Sequence, residues 1–119
     1  MTIPGARGVT LVDCSTGLAV ASSGGSGTLD QHEDAAGTTD VVRVVLASPA
    51  MSASPTGDDI QEIIVSGSSG YHLMVCVGRT FDSQLFLHVV LDRDAGNLAL
   101  ARLRVREVVE LLTEGRDDA

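Results

Sequence analysis

The pattern of hydrophobic and polar positions divides the chain into seven segments, and the first two are short runs rich in Val and Leu. Residues 7–14 and 18–22 flank the sequence Ser15-Thr16-Gly17, and a short turn with glycine between two such runs predicts a β-hairpin. The third segment, from about residue 30 to 47, ends before Pro49 and is predicted to be a helix. Because its second half is β-branched, a strand is the alternative there.

Three strands are predicted after a polar loop that contains two prolines. They cover residues 60–65, 71–77 and 85–91. The first of them alternates apolar and polar side chains, as an edge strand does, whereas the other two are apolar on both faces and are expected to be covered on both sides.

The last segment has the clearest helical pattern. Apolar residues lie three and four positions apart from Leu98 to Leu112, the spacing of an amphipathic helix. Asp94 is a candidate cap at its start, and Gly115 is a candidate stop at its end.

Taken together, these segments predict an α+β fold. We expect a single, mostly antiparallel five-stranded sheet with helices packed on its faces, in the order β-β-α-β-β-β-α. A chain of 119 residues suits one domain, with a core at about 5–114 and a frayed acidic tail at 115–119.

Composition and charge exclude several classes of function. The chain has no lysine and a net charge of −8, so nucleic acid and anionic membrane are not expected partners. It lacks an apolar run of about 18 residues and an N-terminal signal sequence. We therefore expect a cytoplasmic protein without membrane insertion.

The candidate chemistry is sparse. His72 and His88 lie on neighbouring predicted strands and Cys76 shares the face of His72, so a metal site of these three residues is one hypothesis. Two histidines satisfied within the sheet are the alternative. No base is placed beside a nucleophile and no HExxH or CxxC motif occurs. The sequence therefore predicts no catalytic residue, no metal and no cofactor.

Two stretches of sequence resemble the Roadblock/dynein light chain family in its MglB-like, longin-related branch. Residues 8–13 followed by 15–22 form a strand that ends in Asp, a turn at Gly and a run through Leu and Ala to Ser. The apolar strand 85–91, residues 92–97 and the amphipathic helix are similar to the family's close. The acidic, lysine-free composition is similar to that of members from high-GC bacteria such as actinomycetes.

The resemblance implies a Roadblock/longin-like fold and a non-enzymatic homodimer that regulates or scaffolds a small Ras-like GTPase, together with a sensor-kinase-like protein. The six residues before Arg7 are too few for the helix that the family usually places there, which would leave part of a sheet face uncovered. A small-ligand sensor domain is the alternative, based on the proximity of Tyr71, His72 and Cys76.

A dimer interface is expected on the first helix and on the edge strand 60–65, because the helix is apolar on several sides and the strand carries few charges. A proline at Ile63 is expected to interrupt pairing between copies. Arg43 and Arg79 are candidate partner contacts, although Arg43 could also pair with Asp40. The interface residues predicted from sequence are Val41, Val42, Val44, Val45, Leu46, Ile63, Ile64 and Val65.

Overall fold

The computed structural model of the chain describes residues 5–24, 31–54, 59–80, 83–93 and 97–117. Five strands and two helices follow one another in the order predicted from the sequence. They are β1 (Ala6–Asp13), β2 (Leu18–Gly24), α1 (Gln31–Ala47), β3 (Glu62–Ser66), β4 (Gly70–Thr80), β5 (Ser83–Asp92) and α2 (Leu98–Asp117).

The five strands form one antiparallel sheet in the order β2-β1-β5-β4-β3. This order confirms that the first strand after the long loop is an edge and that the two apolar strands after it lie inside the sheet. His88 of β5 lies opposite Thr10 of β1 and Met74 of β4, and His72 of β4 lies opposite Val65 of β3. Opposed residues share a face of the sheet, so these positions all belong to one side.

The β1–β2 hairpin has the predicted turn. Gly17 has a φ of 75°, in the region that residues with a Cβ rarely adopt. Its N–H donates to the Asp13 carbonyl over 2.7 Å, and Ser15 N–H donates to Asp13 Oδ1 over 2.8 Å. The strand-ending aspartate therefore satisfies the turn that follows it.

The β-branched third segment is the helix α1, as predicted, and the strand alternative is wrong. Ala35, Thr39, Val42 and Leu46 recur at spacings of four and three and are all buried. This stripe packs on the sheet, and such tertiary packing outweighs the weak helix propensity of valine.

The two helices cover opposite faces of the sheet and create two hydrophobic cores. One core joins β4 and β5 to α2 and the other joins β1, β4 and β5 to α1. The buried residues of the α2 core are Leu73, Val75, Val77, Leu85, Leu87, Val89, Leu91, Ala101, Val105 and Val108. The buried residues of the α1 core are Val12, Cys14, Ala35, Val42, Leu46, Met74 and Phe86.

The ends of α2 differ from the prediction. Asn97 caps the helix, since its side-chain oxygen accepts a hydrogen bond of 3.0 Å from Leu100 N–H and its carbonyl accepts one of 2.9 Å from Ala101 N–H. The predicted cap, Asp94, lies outside the described residues. Gly115 does not end the helix, which continues to Asp117. No helix in the described part of the chain is long and apolar enough to span a membrane.

Candidate interaction surface

The valine-rich half of α1 divides into buried and exposed positions. Val42 and Leu46, two of the predicted interface residues, are buried in the α1 core of the protomer with 1% and 7% exposure. Because a helix turns about 100° per residue, the neighbouring valines point away from the sheet. Val41 and Val44 are 45% and 69% exposed, and Val45 is partly exposed.

The contacts of α1 show which way each of its flanks points. Asp34 reaches His88 of β5 at 3.5 Å, and Val41 and Val45 continue the same flank at spacings of seven and four. Arg43 lies on the opposite flank, where it donates to the β1–β2 turn. The flank with Val41 and Val45 is therefore the one on the side of β5, away from the β1–β2 turn.

Strand β3 supplies the second part of this surface. By its register with β4, Ile63 and Val65 lie on the α1 side of the sheet. Ile64 lies on the α2 side and is 40% exposed, while Val65 is 44% exposed. Glu62, the one charged residue of β3, forms an ion pair with Arg102 of α2.

The hydrogen bonds of β3 determine which backbone groups point outwards. Cys76 N–H donates to the Gln61 carbonyl, and Gly67 N–H donates to the Gly70 carbonyl. Because hydrogen-bonded pairs alternate in an antiparallel ladder, Ile63 and Val65 bond to β4. The N–H and C=O of Ile64 point to the open edge. The proline predicted to block pairing between copies was therefore placed one residue too early.

We call the exposed and half-buried residues of α1 and of the open β3 edge, taken together, the α1–β3 surface. It combines the outer side of α1 with a sheet edge to which no other described strand is paired, and this combination is suited to a partner. Its members are Val41, Val44, Val45, Ile63, Ile64 and Val65.

Other exposed apolar residues were missed by sequence reasoning. Leu18 and Val20 of β2 are 57% and 59% exposed, and Leu103 and Leu111 of α2 are 55% and 67% exposed. The exposure of Leu103 was predictable from the helical pattern of α2, because Leu103 lies two positions from both Ala101 and Val105 and so must point away from the sheet.

Arg43 has a structural role that the sequence did not reveal. Its Nη2 donates to the carbonyls of Cys14 and Ser15 over 2.6 and 2.8 Å, and its Nε donates to Cys14 over 3.0 Å. This guanidinium supports the β1–β2 turn, a contact different from the pairing with Asp40 that the sequence suggested. The side chain of Arg79 lies outside the described part of the structure.

The two histidines, which the sequence placed on neighbouring strands, are in contact. His72 Nδ1 lies 3.0 Å from His88 Nε2. Cys76, however, is opposite Phe86 while His72 is opposite Val90, so four residues of extended strand separate the thiol from the His72 ring. The hypothesis of a His/His/Cys metal site is therefore wrong, and no group of three or more His, Cys, Asp or Glu side chains among the described residues is arranged to hold a metal ion.

The thiols and the tyrosine do not add a reactive site to this face. Burial raises the pKa of Cys76 to about 11, and burial also raises the pKa of Cys14, so both thiols stay protonated and weakly nucleophilic at neutral pH. Tyr71 packs against the α2 core, with the Arg93 guanidinium 5.3 Å from its ring centroid. The proximity of Tyr71 to His72 and Cys76 expected for a ligand site is wrong, because successive side chains of a strand point to opposite faces.

No protein-family model matches this sequence, and no curated protein matches it. Solved structures do match. MglB of Myxococcus xanthus superposes with a TM-score of 0.78 over 96% of this chain and 85% of its own, at 24% identity. The gliding protein MglB of Thermus thermophilus gives a TM-score of 0.72 over 98% of this chain and 82% of its own, at 18% identity.

A third match is the Roadblock/LC7 domain of Streptomyces avermitilis, with a TM-score of 0.66 over 93% of this chain and 88% of that domain, at 20% identity. The chain has the Roadblock fold. This confirms the resemblance drawn from the opening hairpin and the closing strand and helix at the level of the Roadblock fold. Another solved MglB that matches is described as having a tetrameric arrangement, a statement about that protein.

Proposed function

We propose that this chain is a non-enzymatic, homodimeric Roadblock module that regulates or scaffolds a small Ras-like GTPase. The observation that carries the proposal is the α1–β3 surface, which comprises an exposed valine-rich helix side and a strand edge left open by the described strands, in a protein with the Roadblock fold. A cytoplasmic location and a sensor-kinase-like partner belong to the same proposal, as the family resemblance implies.

Self-association through the α1–β3 surface would answer two physical needs of the protomer. It would cover Val41 and Val44, which are exposed apolar side chains on one helix. It would also pair the backbone groups of Ile64, since a second copy of β3 presents the same outward donors and acceptors in antiparallel orientation. Stable dimers of this kind commonly bury about 2,000 Å² or more.

Val44→Asp tests the self-association, and Leu103→Asp is its matched control. Both positions carry an exposed apolar residue on the outer side of a helix, at 69% and 55% exposure. We expect wild type and Leu103→Asp to scatter light as particles of twice the chain mass of 12.3 kDa. Val44→Asp should give a folded single chain. A wild-type protein that remains a single chain at micromolar concentration would refute the dimer.

Binding of the candidate GTPase is tested separately from self-association. The GTPase from the same host is loaded with GDP or with a non-hydrolysable GTP analogue, and its affinity for this chain is measured by calorimetry. We expect the affinity to depend on the bound nucleotide, because the switch segments differ between the two states. Equal or undetectable binding in both states would remove the GTPase from the proposal.

The proposal leaves two possible roles for arginine in GTP hydrolysis, a contact to the GTPase or an arginine finger. We expect any effect on GTP hydrolysis to come from the shape offered to the switch segments, with Arg43 and Arg79 as contacts. An arginine finger would instead contribute about 10³-fold or more to the rate. Hydrolysis assays with Arg43→Ala and Arg79→Ala distinguish the two, provided that binding is intact, and a loss of that size would establish a finger.

A further inference from the structure

A buried histidine connects the start of α1 to the surface of the sheet. His88 has 3% of its side chain exposed, and its Nδ1 lies 3.5 Å from Asp34 Oδ2 of α1, whose side chain is 37% exposed. Its Nε2 lies 3.0 Å from Nδ1 of His72, an exposed residue of β4. One imidazole therefore touches a carboxylate with one nitrogen and a second imidazole with the other.

The two imidazole rings meet end to end. Their planes differ by only 14° and their centroids lie 5.2 Å apart, while the facing nitrogens are 3.0 Å apart. The centroid–centroid distance exceeds the nitrogen–nitrogen distance by about the sum of the two ring radii. The two nitrogens therefore lie nearly on the line between the centroids. An N–H of one ring then points along the lone pair of the other, the geometry of a linear hydrogen bond.

The number of protons determines which nitrogen donates. An ionised Asp34 only accepts, and a neutral imidazole has one N–H, so the carboxylate favours the His88 hydrogen on Nδ1. His88 Nε2 then accepts from His72 Nδ1–H, and His72 Nε2 keeps a lone pair. A first additional proton can occupy His72 Nε2 without breaking this chain. A second must occupy His88 Nε2, where two N–H groups would then face each other.

We propose that Asp34, His88 and His72 form a proton-operated latch, which holds the first turns of α1 on the sheet at neutral pH and releases them when His88 takes up a proton. The surroundings of His88 favour release. Among the described side chains, the titratable groups that face it are Asp34 from α1 and His72 from β4. β1 contributes Thr10, which does not titrate, and β4 also contributes the apolar Met74.

The balance of these effects gives the direction of the response. Burial lowers the pKa of His88 below its usual 6.5, Asp34 opposes this shift, and His72 adds to it. The open or unfolded chain therefore binds a proton more readily than the closed one. The latch contributes its full stability above about pH 6.5 and loses it as the pH falls through the lowered pKa of the folded state.

The first experiment reads the hydrogen positions in the full wild-type chain. Long-range ¹H–¹⁵N NMR at pH 7.5 distinguishes the two imidazole nitrogens of each histidine. We expect the hydrogen on Nδ1 in both His72 and His88, with a bare Nε2 on His72. Asp34→Asn should shift both rings towards mixed tautomers, whereas Asp40→Asn, an exposed site on the same helix, should change neither. A hydrogen on Nε2 of His72 in wild type would refute the latch.

The second experiment measures opening. Amide hydrogen exchange is followed from pH 8 to 5 and corrected for the intrinsic exchange rate. One-proton linkage predicts that protection of residues 36–40 falls about tenfold per pH unit below pH 6.5, while β5 keeps its protection. His88→Gln should abolish this pH dependence, and Asp40→Asn should retain it. Protection of α1 that is constant or increases on acidification in wild type would overturn the proposal, even if His88→Gln fails to fold.

Discussion

Two glycines of this protein should respond in opposite ways to an added methyl group. A Cβ on Gly70 would lie 2.3 Å from the carbonyl oxygen of Leu91, which is backbone and cannot turn aside, whereas a Cβ on Gly37 in α1 would meet nothing within 4 Å. Gly70→Ala should therefore destabilise the fold by roughly 1–3 kcal/mol. Gly37→Ala should stabilise it by about 0.5–1 kcal/mol. Urea unfolding of the two variants, with equal m-values, checks both signs.

Arg43 gives a second prediction at the scale of the residue. Its bonds to the Cys14 and Ser15 carbonyls should make Arg43→Ala cost about 1.5–3 kcal/mol, the usual range for hydrogen bonds to a charged group. Arg104→Ala is the control, because that exposed arginine only approaches Glu107 at 3.4 Å, and it should cost less than about 0.5 kcal/mol. Equal costs for the two variants would show that the turn does not depend on Arg43.

At the scale of the element, α1 and β3 each have one side committed to the fold and one side left open. In α1 the buried stripe of Ala35, Thr39, Val42 and Leu46 fixes the helix on the sheet. In β3 the backbone of Ile63 and Val65 bonds to β4, while that of Ile64 does not. The α1–β3 surface therefore consists of the side chains and backbone groups of these two elements that are not used in the packing and hydrogen bonding of the protomer itself.

Two proline substitutions in β3 distinguish the backbone groups that bond to β4 from those that point to the open edge. Ile64→Pro removes an N–H that points to the open edge, so it should leave the protomer folded and abolish pairing between copies. Ile63→Pro removes an N–H that bonds to β4 and should therefore destabilise the protomer. Circular dichroism reports the fold, and light scattering reports the assembly. Assembly that survives Ile64→Pro would mean that the β3 edge is not paired in the dimer.

At the scale of the whole molecule, one sheet separates two cores, and α1 lies between a core and a proposed interface. The position of a valine on α1 therefore decides what its replacement disrupts. Val42→Asp puts a carboxylate into a site that is 1% exposed, without a cationic partner. Such a charge commonly costs about 3 kcal/mol or more.

Val42→Asp should consequently lose the cooperative thermal transition, while Val44→Asp should keep its melting temperature in the absence of self-association. Differential scanning calorimetry at several protein concentrations makes this comparison. If Val42→Asp were folded but single-chain, residue 42 would have to lie on the surface, and the packing of α1 described here would be incorrect.

The sequence by itself determined the order of the elements, the hairpin at Gly17, the edge position of β3 and the placement of His72 and His88 on neighbouring strands. These follow from local rules: turn chemistry, period and strand alternation act over a few residues. It also sufficed for the resemblance to the Roadblock family, since the order and spacing of motifs are properties of the chain.

Only the tertiary structure decided which valines of α1 are buried, that Arg43 supports a turn 28 residues away, and that Tyr71 and Cys76 lie apart from His72. In a helix that is apolar on several sides, the sequence does not specify which side packs on the sheet, because burial of any of these sides would remove apolar surface from water. The outward direction of Ile64 likewise depends on the register with β4, which a shift of one residue would reverse. The contact between Asp34 and His88 was likewise decided by the tertiary structure, because only the packing of α1 on β5 places this carboxylate against the His88 ring.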